Sequence, residues 1–218
     1  MSKVEMSKQA AGQDDDAGRE APKSRPVRAD AQRNTDALLE AALAVFATSG
    51  VDAPVREIAV RAGVGVGTVY RHFPQRSDLI AAVFRHEVDA CADAAAEFAA
   101  EYEPGEALTR WLQRYATFIG TKRGLATALH SGDPAFDALP AYFDSQFRPA
   151  LQSLLETAIN AGEIRKVQPE DLLRAVANLC VPPRDGGDDH ALRMIELLID
   201  GLRYGAKSPT TQLPQPDQ

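Results

Sequence analysis

The 218-residue chain is 44% apolar and 25% charged, ordinary proportions for a globular protein and enough length for one large or two small domains. No apolar run approaches the roughly 18 residues of a membrane span, residues 1–16 lack the apolar core of a secretory signal, and Cys91 and Cys180 lie far apart without metal-ligand spacing, as expected in a reducing cytoplasm. The net charge of −7 argues against a nucleic-acid partner until it is divided: residues 1–22 carry −2, residues 23–76 carry +3 and residues 77–218 carry −8, so positive charge gathers on one segment.

Residues 1–24 are polar and poor in aromatics, the composition of a disordered tail. Arg25-Pro26-Val27-Arg28 reads as a basic arm. Periodicity predicts a first helix over 30–49, with Leu39, Ala42 and Phe46 on one face and Gly50 as its stop. Val55, Ile58, Ala59 and Ala62 mark a short second helix ended by Gly63. Val69 and Phe73 mark a third, closed by Pro74. Ser77 or Gln75 caps a long fourth helix reaching about Tyr102, with Leu79, Val83 and Phe84 on its inner side. Pro104-Gly105 breaks the chain. A helix over about 106–122 carries Leu108, Trp111, Leu112, Tyr115, Phe118 and Ile119, and a separate short segment spans 125–130. Asp133-Pro134 opens a further helical region whose main body is 142–161, stopped by Gly162. Pro169 starts a helix with Leu172, Leu173, Val176, Leu179 and Cys180. A loop with Pro182-Pro183 and Gly186-Gly187 leads to a last helix, capped by Asp188 or Asp189 and running to about Tyr204; residues 207–218 read as a disordered tail. Strand signals are nearly absent. The expected fold class is all-α, about nine helices in total.

The chemistry concentrates in residues 56–79. The third helix is apolar behind, while Thr68, Tyr70, Arg71 and His72 offer hydroxyl, guanidinium and imidazole groups in front. A short helix of that kind suits the second helix of a helix-turn-helix, which enters the major groove of DNA. Arg71 is the candidate for bidentate reading of guanine. Thr68 and Tyr70 suit phosphate, with Thr68 also able to touch a thymine methyl. His72 suits a base or a phosphate, and Arg56 a base or the backbone. Arg76, at the start of the fourth helix, suits a phosphate gripped together with free N–H groups. Arg28 and Arg33 are further candidates, and Val66 and Gly67 lie on the same helix but are poor base readers.

Residues 33–80 resemble the DNA-binding domain of the tetracycline-repressor (TetR) family of bacterial transcription regulators. The matching residues are Ala41, Ala42, Phe46 and Gly50; Arg56, Glu57, Ile58 and Ala59; Ala62-Gly63-Val64; Gly67-Thr68-Val69-Tyr70, His72 and Phe73; and Asp78-Leu79. Three positions depart from the family pattern: Pro54 replaces a Ser or Thr cap, which Asp52 can supply instead, Gly65 replaces a Ser cap, and Arg76 stands where lysine is frequent. The resemblance implies a ligand-responsive regulator, most commonly a repressor, with residues 25–76 as DNA-binding domain and 77–206 as effector-binding and dimerisation domain.

The last helix is apolar on two stripes, one with Ile195 and Ile199, the other with Met194, Leu197, Leu198 and Gly201. A helix apolar on two sides needs two partners. The second stripe, with Leu173 and Val176 of the preceding helix, is expected to form a two-fold homodimer, as the resemblance also implies. Trp111, Tyr115, Phe118, His130, Phe136, Phe143 and Phe147 fall within one bundle and are expected to line a pocket for a small apolar or aromatic effector. Rival readings are a ligand-binding scaffold without sequence-specific DNA binding and, behind it, an enzyme. Gly63, Gly65 and Gly67 follow a helix and lack the strand a dinucleotide loop requires. No metal or cofactor is expected.

Overall fold

A computed structural model describes residues 25–180 and 189–206, with side chains placed at 32–120, 125, 128–180 and 190–204. Eight α-helices follow one another: α1 (Arg25–Ser49), α2 (Val55–Arg61), α3 (Val66–His72), α4 (Arg76–Glu101), α5 (Pro104–Leu129), α6 (Leu139–Asn160), α7 (Pro169–Leu179) and α8 (Asp189–Ala206). A 3-10 turn, Pro134–Phe136, precedes α6. No strand occurs among the described residues, so the fold is all-α: a helix-turn-helix followed by a C-terminal helical bundle. The tails at 1–24 and 207–218, the loop with Pro182 and Gly187, and the candidate cap Asp188 lie outside the described residues, as does the Arg28 side chain.

Three boundaries differ from expectation. α1 already includes Arg25, before the predicted start at Asp30. The predicted break near Lys122 does not occur, and α5 runs on through Gly120 and Gly124 to Leu129. Each glycine weakens a helix by about 1 kcal/mol, but Leu125 is buried and packing holds the segment helical. The expected break at Pro104-Gly105 is the start of α5. There the Gly105 N–H donates to Glu163 Oε2 at 2.8 Å, which gives a negative charge to the positive end of the helix dipole.

One core runs through the molecule. Leu38, Ala42, Phe46, Ile58, Val69 and Leu79 continue into Val83, Phe84 and Val88 of α4, then into Trp111, Phe147, Leu151 and Leu155 of the bundle. α4 packs along both α5 and α6, while α1 rests on α4 and α5. Directed bonds fix the bundle's register. Trp111 Nε1 donates to the Cys91 carbonyl at 2.8 Å, Tyr115 Oη to the Leu173 carbonyl at 3.4 Å, and Arg203 Nη2 to Thr109 Oγ1 at 3.1 Å. α4 is therefore a rod with its first turn in the helix-turn-helix and its remainder in the bundle.

Candidate nucleic-acid interface

The turn between α2 and α3 is made by Gly63, whose φ of +68° places it in the left-handed region. The Val64 N–H donates to the Ala59 carbonyl at 3.0 Å and the Gly63 N–H to the Val60 carbonyl at 3.2 Å, the paired bonds of a Schellman cap. Gly65 is the N-cap of α3 as expected. Pro54 is the N-cap of α2, with no side-chain cap bond, so Asp52 does not take that role. Instead Ser49 Oγ donates to Glu57 Oε1 at 2.9 Å, tying the end of α1 to the first turn of α2. Of the two caps considered for α4, Gln75 is the one used, and its N–H donates to Asp78 Oδ2 at 3.0 Å.

Val69 is buried and anchors α3 against Ile58, Ala59 and Leu79. The opposite side is open: Gly67, Arg71 and His72 are exposed, Thr68 is half-buried, and Tyr70 is 52% exposed. Arg56 is exposed on the first turn of α2 and Arg33 on α1. Val60 of α2, not singled out from sequence, is 74% exposed, and Val66 is exposed near it in sequence. Exposed methyl groups beside donors are what thymine methyls in a major groove contact. Val60 carried no sequence signal, because an apolar residue on a short helix ordinarily reads as core.

Arg76 is placed differently from expectation. Its Nε donates to the Val51 carbonyl, its Cζ lies 5.4 Å from the centre of the Phe46 ring, and Nη2 is buried without a hydrogen-bond partner. The guanidinium is turned inward, joining the first turn of α4 to the loop after α1. The Val51 carbonyl and the Phe46 ring are its partners there.

Most of the expected pocket residues form packed core. Trp111, Tyr115, Phe118 and Phe147 are buried. The Phe147 ring lies 4.6 Å from Phe143, 5.1 Å from Phe118, 5.3 Å from Tyr115 and 5.8 Å from Trp111, centre to centre and edge-on in every case. Burial pushes the Tyr115 hydroxyl's pKa above the usual tyrosine range. The open space lies beside this cluster: a cavity of about 280 Å³ lined by Phe84, Leu129, His130, Phe136, Leu139, Pro140, Phe143 and Asp144. His130, Phe136 and Phe143 are thus on its wall. Phe118 stands behind, 5.8 Å from Phe84 and 6.1 Å from Phe143. Next to the cavity, Tyr142 Oη donates to Asp89 Oδ1 at 2.5 Å and bridges α6 to α4. Burial, then that bond, pushes the Tyr142 hydroxyl up to about 12.

On the last two helices, Ile195, Ile199 and Leu202 are buried, while Leu197 is 64% exposed, Gly201 is exposed, and Met194 and Leu198 are half-buried. Leu173 and Val176 are buried within the chain's own core, because the apolar side of α7 packs against α5, α6 and α8. The open side of α7 carries Arg174 and Asn178 instead. Among the described residues no cluster of His, Cys, Asp and Glu is arranged to hold a metal ion, and no helix is long and apolar enough to cross a membrane.

Residues 38–83 match the family model described as bacterial regulatory proteins, tetR family. Residues 103–204 match the one described as transcriptional regulator SbtR-like, C-terminal domain. A TetR transcriptional regulator from Streptomyces coelicolor is 37% identical, with a TM-score of 0.67 over 77% of this chain and 97% of that one. A TetR transcription regulatory protein from Mycobacterium vanbaalenii is 34% identical, with a TM-score of 0.63 over 82% of this chain and 99% of that one. The HTH-type transcriptional repressor LfrR of Mycolicibacterium smegmatis is 43% identical over 58 residues, 27% of this chain and 30% of that protein. The match to such curated relatives thus spans about a third of their length or less.

Proposed function

The chain belongs to the TetR family of bacterial regulatory proteins, and we propose that it acts in the cytoplasm as a dimeric repressor, released from a palindromic DNA site by a small molecule. The observation that carries this reading is the face of α3. One buried residue, Val69, holds the helix, and Tyr70, Arg71 and His72 stand exposed on its other side. Arg71 reads guanine, Thr68 and Tyr70 hold phosphates, and His72 and Arg56 supply further contacts at the rim. Residues 25–76 form the DNA-binding unit and residues 77–206 the regulatory one.

Dimerisation uses the open stripe of α8, where Leu197 would otherwise leave apolar surface in water. Two-fold symmetry then sets two α3 helices about 34–36 Å apart, one helical turn of DNA. Regulation follows from α4. Phe84 lines the cavity, and Arg76, eight residues earlier, ties the same helix to the helix-turn-helix. At 1.5 Å per residue those points are about 12 Å apart on one rod. A ligand that favours a shifted α4 changes the separation of the α3 helices, and its leverage equals its differential affinity for the two states.

The test is anisotropy of a labelled duplex from the DNA flanking this protein's own coding region, titrated against scrambled competitor. Competitor-resistant binding with two chains per duplex is expected. Equal, weak binding to both duplexes is phosphate attraction alone and would overturn the reading.

A further inference from the structure

We propose that the cavity between α4, the end of α5, the 3-10 turn and α6 takes a small aromatic ammonium ion, with Asp144 as its counter-ion. The proposal rests on the regulatory reading above and names the class of effector. Three phenyl rings reach the cavity from three different elements: Phe84 from α4, Phe136 from the 3-10 turn and Phe143 from α6. Leu129, Leu139 and Pro140 complete the apolar wall. The rings are fixed from behind, since Phe118 packs on both Phe84 and Phe143. A ring face carries partial negative charge and attracts a cation within about 6 Å.

The polar part of the lining is Asp144 and His130, and among the described residues no lysine or arginine side chain lines the space. Arg85 of α4 is directed elsewhere, over the Tyr142 ring at 5.8 Å. An anionic ligand would meet the Asp144 carboxylate. An ammonium group pairs with the carboxylate while its aromatic part packs among the phenyl rings. The volume of about 280 Å³ lies at the small end of ligand sites and suits a one- or two-ring molecule. The −8 charge on residues 77–218 favours the same sign of ligand at long range.

The experiment is calorimetric titration of the full chain with three probes that share one ring system: 1-naphthylmethylammonium, 1-naphthylmethanol and 1-naphthoate. The ammonium is expected to bind at least about 10-fold more tightly than the alcohol, and the carboxylate not measurably. Asp144→Asn is expected to bring the ammonium down to the alcohol's affinity and leave the alcohol unchanged. Asp144 is exposed, so this change does not put folding at stake. Equal affinity for ammonium and alcohol, tighter binding of the carboxylate, or no binding of the ammonium at millimolar concentration would each overturn the proposal. The duplex titration separates the two readings. A protein that binds its operator but fails the probe series remains a regulator with a different effector class. One that prefers the ammonium but ignores the operator keeps this site and loses the regulatory role.

Discussion

Phe147→Ala separates a packed aromatic core from an open ligand chamber. The side chain is fully buried and four rings surround it at 4.6–5.8 Å. Truncating a buried phenylalanine costs about 3–5 kcal/mol through lost transfer energy and the cavity left behind. Each edge-on ring pair adds about 0.5–1.5 kcal/mol beyond area, which puts this site near the top of that range, about 4–5 kcal/mol. For a chain of this size, about 2–4 °C per kcal/mol gives a fall in Tm of about 8–20 °C. The assay is urea denaturation at two protein concentrations, because the proposed dimerisation would contribute a concentration-dependent term. The midpoint should fall with little change in slope. A loss below about 1 kcal/mol would refute the reasoning, since it would mean that Phe147 faces space already empty.

Three further outcomes are expected. Arg76→Met keeps apolar contact with Phe46 but removes the donor to the Val51 carbonyl, so stability falls by about 0.5–1.5 kcal/mol while the salt dependence of DNA affinity is unchanged; a slope shallower by about 0.9 would show that Arg76 holds a phosphate after all. Leu197→Glu should turn the dimer into a folded monomer in sedimentation velocity, because the residue is 64% exposed in the single chain; a variant that remains dimeric would place the interface elsewhere. The Tyr142 hydroxyl titrates near 10 when unfolded and at about 12 when folded, so its contribution to stability is complete below pH 10 and is lost as pH rises toward 12. Tyr142→Phe should therefore lower the urea midpoint at pH 9 and narrow the gap to wild type by pH 11.5, and parallel curves over that window would contradict the assignment.

The helix-turn-helix was legible because its signals are local. The Ile58, Ala59 and Ala62 spacing, the left-handed Gly63 and the Val69 anchor all act within a few residues. The C-terminal bundle was legible in outline only. Amphipathic spacing placed Trp111, Tyr115 and Phe147 inside the bundle, but periodicity reports burial and not whether the buried space is filled. The cavity wall draws on Phe84, Leu129, Phe136 and Asp144, whose meeting depends on how α4, α5 and α6 cross. The separate segment expected over 125–130 is instead the end of α5, where Leu125 is buried. The direction of the Arg76 guanidinium was set by Val51 and Phe46, partners far upstream. Likewise Leu173 and Val176 were correctly apolar, but which neighbour covers them is a tertiary fact.

The central claim is that α3 reads DNA sequence, and Arg71→Ala tests it most directly. Binding of wild type and variant is compared on the flanking-DNA duplex and on its scrambled counterpart at one salt concentration. The expected result is a loss of about 1–3 kcal/mol, roughly 5- to 150-fold, on the specific duplex with far less change on the scrambled one. An equal loss on both duplexes would make Arg71 a phosphate contact, and no loss on either would contradict the claim that this face of α3 lies in the groove.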